Sequence, residues 1–170
     1  MGMFMSSVAF RCSDKALWKR IKPEIEQMTR VDGLVDNLDA EDVSHCIVSP
    51  YGEMGEYLAG LPEKISALTG DYAVVATCVD SDFCMLALFN KGTLVEECCI
   101  GEVYEEYADF CETKAPCIDN WKPLLLTEAE TERLNDALFG EEVFAEDHLR
   151  ALSELTGLPI FDDELVFGDI

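Results

Sequence analysis

Basic side chains are scarce in this chain. Only 12 Lys+Arg stand against 35 Asp+Glu, a formal net charge of −23. A phosphate backbone is repelled by such a body, which excludes nucleic acid as a general partner and leaves only the short basic stretch near the start as an exception. Long apolar runs are missing as well. No uninterrupted run of about 18 apolar residues occurs, so no membrane-spanning helix and no membrane partner are expected. The first ten residues have no basic group ahead of them and break quickly into polar positions, the wrong pattern for an export signal. There is no C-x-x-C pair, no phosphate-loop glycine pattern, no G-x-G-x-x-G, no G-x-S-x-G and no H-E-x-x-H. Their absence removes the usual sequence grounds for zinc, nucleotide, acyl-transfer and zinc-protease chemistry. Internal repeats and low-complexity segments are lacking too.

What is present is a composition that folds: 49% apolar and 28% charged residues in a chain of 170. That length supports one domain with its own core and without disulfide or metal staples. Eight cysteines occur, at 12, 46, 78, 84, 98, 99, 111 and 117. Most fall in apolar runs, so they read as free buried thiols of a protein kept in a reducing cytoplasm. Cys98 and Cys99 with Cys111 and Cys117 match no common zinc spacing, and no cofactor is expected.

The charge is unevenly spread. Residues 1–30 hold six basic groups (Arg11, Lys15, Lys19, Arg20, Lys22, Arg30) and three acidic ones (Asp14, Glu24, Glu26), a balance of +3 that leaves −26 on the remainder. Such a body attracts and steers a basic partner. The same acidity also serves simply to keep a protein dispersed.

Along the chain, 4–12 alternates weakly and predicts a strand. Ser13 or Asp14 then caps a helix to Met28, with Leu17, Ile21, Ile25 and Met28 at helical spacing and Pro23 inside it. Residues 43–49 predict a second strand. The spacing of Met54, Leu58, Leu61, Ile65 and Leu68 predicts helix over 53–69, divided at Pro62 and closed by Gly70. Three β-rich runs follow at 72–79, 83–89 and 93–100, joined by Asp80-Ser81-Asp82 and Asn90-Lys91-Gly92, both of hairpin length. Glu102 to Cys111 reads as either a helix or an acidic loop. Thr127 with Glu130 forms a capping-box pattern ahead of a helix to Phe139, and a further helix spans about 141–156, ended by Gly157 and Pro159. The tail reads as a short strand or a docked segment. The fold class is therefore α+β: one domain over 1–170, with an antiparallel sheet whose central three-strand meander, about 72–100, is covered by N-terminal and C-terminal helices.

Few side chains point to chemistry. His45 adjoins Cys46 on a strand, where neighbours face opposite ways, so they cannot readily pair as base and nucleophile. A packed thiol beside a surface histidine accounts for them. A solvated helix face accounts for His148. Asp80 and Asp82 flank a turn and could share a divalent cation, although turns favour Asp and Ser in any case. Glu96, Glu97, Glu105, Glu106 and Asp109 form an acidic cluster suited to partner binding.

Two stretches, DSDFCMLALFNKGTLVEE (80–97) and FAEDHLRALSELTGLPIF (144–161), together resemble a loose group of small acidic bacterial α+β proteins of unassigned function. These share an Asp-rich turn, a strand of the form L-x-L-(Y/F)-x-x-G-x-L-V and a helix ending L-x-x-L-x-G-L-P. In size, acidity and element order the chain is also similar to bacterial immunity proteins that neutralise toxins, a likeness of class alone. The expected function is a non-enzymatic acidic binding protein, an immunity-type inhibitor or an adaptor, that engages a basic protein. The alternative is metal-assisted hydrolysis at Asp80 and Asp82, with Glu97 or Asp109 nearby. Oligomeric state is left open.

Overall fold

The computed structural model describes residues 4–49, 60–105, 108–109, 114–141 and 144–168. Six strands form one fully antiparallel sheet: β1 (Met5–Arg11), β2 (Val35–Asp36), β3 (Ser44–Ser49), β4 (Tyr72–Val79), β5 (Phe83–Asn90) and β6 (Thr93–Gly101). Their order across the sheet is β2-β3-β1-β4-β5-β6. The expected meander is β4-β5-β6, and the N-terminal strand lies at the heart of the sheet between β3 and β4.

Period-two alternation decides which residue goes to which side. In β1, Met5 and Ala9 face one core while Val8 and Phe10 face the other, and all four are inaccessible to solvent. Helices α1 (Lys15–Met28) and α2 (Leu61–Thr69) cover the second face, where Ile21, Ile25, Leu61 and Ile65 meet Val8, Phe10, Ile47 and Ala73. Helices α3 (Ile118–Trp121), α4 (Thr131–Phe139), α5 (Ala145–Thr156) and α6 (Asp163–Phe167) belong to the first face, where Trp121, Leu134, Leu149 and Leu152 meet Val74, Leu86 and Leu88. The result is three layers. Burying both faces of β4 and β5 explains why these strands are apolar at nearly every position.

Local signals set most boundaries. The Asp14 carboxylate accepts from Ala16 N at 2.9 Å and Leu17 N at 3.0 Å, satisfying two amides that α1 leaves unpaired. Pro23 lies on the exposed side of α1, and the helix continues through it to Met28. Pro62 sits in the first turn of α2. The expected helix over 53–59 falls outside the described residues. Lys91 and Gly92 both have positive φ, 50° and 79°, as a two-residue type I′ hairpin requires. Gly92 also lies against α2, where a Cβ would come within 3.0 Å of the Ala67 Cβ. At Gly101 a side chain is impossible without movement: φ is +90°, and a Cβ would stand 2.4 Å from the Asp82 carbonyl oxygen.

Three expectations are corrected. Thr127 makes no side-chain cap: a 3₁₀ turn over Glu128–Glu130 intervenes, α4 begins only at Thr131, and the Thr131 hydroxyl donates to the Glu128 carbonyl at 2.9 Å. The tail is not a strand but the helix α6, docked through Val166 and Phe167 and capped by the Asp162 carboxylate on the amides of Glu164 and Leu165. Both histidines are buried, at 0% and 1% exposure. His45 is held by stacking on Trp18, and His148 by a 2.8 Å hydrogen bond between its Nδ1 and the Ala137 carbonyl.

Candidate functional site

The acidic residues named from the sequence meet different fates. Glu96 sits on β6 and turns inward. Its carboxylate accepts from the Cys117 amide at 2.8 Å, from the Trp121 indole N–H at 3.4 Å and from the Asn120 side-chain amide. It is the anchor that fixes the start of α3, so its charge is taken up within the chain. Glu97, next along the strand, points to solvent and pairs with Lys114 at 2.8 Å. Glu105 and Asp109 are exposed. Glu106 lies outside the described residues.

Asp80 and Ser81 both adopt left-handed backbone, φ 50° and 63°, and the Asp82 amide closes the turn on the Val79 carbonyl at 3.1 Å. The Tyr104 hydroxyl donates to Asp80 Oδ2 at 3.4 Å. The turn also grips the first residues of α5: the Ala145 amide donates to the Ser81 carbonyl at 2.8 Å and the Ser81 hydroxyl to Glu146 Oε1 at 3.3 Å. Glu146 Oε2 is buried and has no hydrogen-bond partner among the described residues. Glu97 does not join this group. It is four residues along β6 from Gly101, the register partner of Phe83, which puts it about 13 Å away along the sheet. Among the described residues, no group of three or more His, Cys, Asp or Glu side chains is placed to hold a metal ion.

The cysteines divide likewise. Cys12, Cys46, Cys78, Cys84 and Cys98 are free and buried, as expected. Burial pushes the Cys46, Cys84 and Cys98 thiols well up, so they remain protonated and unreactive as nucleophiles. Cys117 is free but exposed, and Cys99 is disulfide-bonded, against the expectation of buried free thiols throughout.

The broader acidic surface is more coherent than any single cluster. Residues 96–170 carry 21 of the 35 acidic groups and only 4 of the 12 basic ones. All four cations are already bound by nearby carboxylates: Lys114 by Glu97, Lys122 by Asp119, Arg133 by Glu130 and Glu154, and Arg150 by Asp147 and Asp163. Glu102, Glu128, Glu132, Asp136, Glu141 and Glu164 stand exposed beyond those pairs. Large apolar groups are exposed on the same layer: Leu126 at 61%, Phe144 at 52% and Phe139 at 49%. Phe139 and Glu141 line a groove of about 490 Å³, together with Glu102, Val103 and Pro116. Sequence reasoning missed Phe139 and Phe144 as surface groups. Both lie at helix ends, where periodicity loses its power to tell inside from outside.

No protein-family model, curated protein or solved structure matches the chain. No helix among the described residues is long and apolar enough to cross a membrane.

Proposed function

We propose that this chain is a non-enzymatic binding protein whose α3–α6 layer receives a basic protein partner, in the manner of an immunity-type inhibitor or an adaptor. The observation that carries the reading is the complete internal pairing of that layer's cations, which leaves a net charge of −17 on residues 96–170 with no unpaired positive group among the described residues to offset it. A surface of one sign raises the rate of encounter with a partner of the other. Exposed Leu126, Phe139 and Phe144 add apolar contact area, the kind of group that supplies short-range affinity once encounter has occurred. Five buried free thiols among the described residues support a reducing compartment, whereas the bonded Cys99 weighs the other way.

The test is capture of partners from native lysate on immobilised protein, at low and high salt, beside a Glu128→Gln, Glu132→Gln, Asp136→Gln triple variant. A basic protein retained by the wild type at low salt, and lost either in high salt or with the variant, is the expected result. Retention of nothing, or of proteins indifferent to both changes, overturns the proposal.

A further inference from the structure

A second surface, independent of the acidic layer, lies on the opposite side of the sheet. A cavity of about 310 Å³ opens between α1 and the loop that leads into β3, lined by Cys12, Lys15, Trp18, Lys19, Glu41 and Asp42, with Ala40 and Val43 completing its wall. This is at the small end of the range for small-molecule sites, about 300–1,000 Å³. Its aromatic wall is rigid. The Trp18 indole lies parallel to the His45 imidazole, 4.0 Å between centroids and 14° between planes, and Phe10 packs against both rings at 6.0 and 5.6 Å. His45 and Phe10 are fully buried, so Trp18 is held from behind while its half-buried ring lines the cavity.

The mouth of the cavity is balanced in charge, with Lys15 and Lys19 on α1 facing Glu41 and Asp42 on the loop, in a molecule that is otherwise strongly acidic. Lys15 and Lys19 are one helical turn apart, so their ammonium groups share a face of α1. Neither makes an ion pair among the described residues, although Lys22, almost one turn further on, is bound by both Glu26 and Asp39. Two cations without an ion-pair partner among the described residues, beside an aromatic wall in a protein of net charge −23, suit a small anion with a flat ring. Glu41 and Asp42 on the opposite lip direct the anionic end toward α1 and leave the loop side to hydrogen-bond donors.

We propose that this cavity binds a planar aromatic or heteroaromatic ligand bearing one anionic group, a carboxylate or a phosphate ester, with the ring against Trp18 and the anion between Lys15 and Lys19. The test is titration of the ¹⁵N-labelled full chain with two matched pairs: indole-3-acetate against indole-3-acetamide, and adenosine monophosphate against adenosine. The expected result is a saturable shift of the Trp18 indole N–H and of amides in 12–19 and 40–43, with the neutral member of a pair at least about tenfold weaker. The pair that discriminates identifies the anion as carboxylate or phosphate. A Lys15→Gln, Lys19→Gln variant, folded because both side chains are exposed, should lose that discrimination. No shift at these residues with either acid at millimolar concentration, or equal shifts with acid and neutral partner, overturns the assignment.

Discussion

The two faces of the sheet are built from the same strands yet solve different problems. On the α3–α6 side, the core is the larger of the two and contains the fully buried Trp121, whose indole N–H is tied to Glu96. The outer surface there is acidic and its cations are spoken for. On the α1–α2 side the core is smaller, the tryptophan lies at its margin rather than its centre, and Lys15 and Lys19 beside a cavity make no ion pair among the described residues. The difference teaches that tryptophan and carboxylate are not single roles. Trp121 and Glu96 hold the fold, whereas Trp18 and Glu97 belong to surfaces.

Substitution at the two tryptophans should break this comparison most visibly. Trp121→Ala empties a fully packed site and should cost about 3–5 kcal/mol of unfolding free energy, read from the urea midpoint. Trp18→Ala, at a half-buried position, should cost roughly half as much. Equal losses would mean that the two cores are equivalent. The adjacent glutamates give the next contrast. Glu96→Gln weakens charge-assisted bonds to three donors and should cost about 2 kcal/mol, while Glu97→Gln, which loses one exposed ion pair, should change stability by less than about 0.5 kcal/mol.

The third contrast is with pH. Burial among aromatic rings lowers the pKa of His45 below its ordinary 6.5, despite the Asn37 carbonyl and Asp42, which favour the charged ring; Lys22 adds to the lowering. The unfolded chain therefore binds a proton at this residue before the folded one does. Stability should be insensitive to His45 above pH 6.5 and should fall as pH drops below it. His45→Phe should flatten that part of the profile of thermal midpoint against pH. An unchanged slope between pH 7 and 5 would remove His45 as its source. The smallest effect belongs to the surface of the acidic layer. Arg133→Gln breaks ion pairs to Glu130 and Glu154 at a side chain 59% exposed, and should alter stability by no more than about 0.5 kcal/mol.

Much of the architecture was legible without coordinates. The meander was readable because hairpin turns need particular backbone angles, and Asn90-Lys91-Gly92 and Asp80-Ser81-Asp82 supply residues that tolerate them. Helix ends at Gly70 and Gly157 were readable for the same reason, since both adopt left-handed φ. The cap at Thr127 is not legible in the sequence because a 3₁₀ turn occupies the same residues that a capping box would use. His45 and His148 were misread because their burial depends on what lies across from them. Trp18 comes from a helix 27 residues away from His45, and the Ala137 carbonyl from another helix than His148.

Local chemistry thus decided most of the strands, turns and helix limits, because backbone preference and side-chain period act over a few residues and are written in order along the chain. The net charge and its concentration in the second half belong to the same category. Which carboxylate became an anchor and which a surface group, which tryptophan became a core and which a wall, and where a cavity opened beside Lys15 and Lys19 were decided only when distant segments met. Burial and pairing are properties of neighbours in space, and β6 with α3, or α1 with β3, become neighbours only across the sheet.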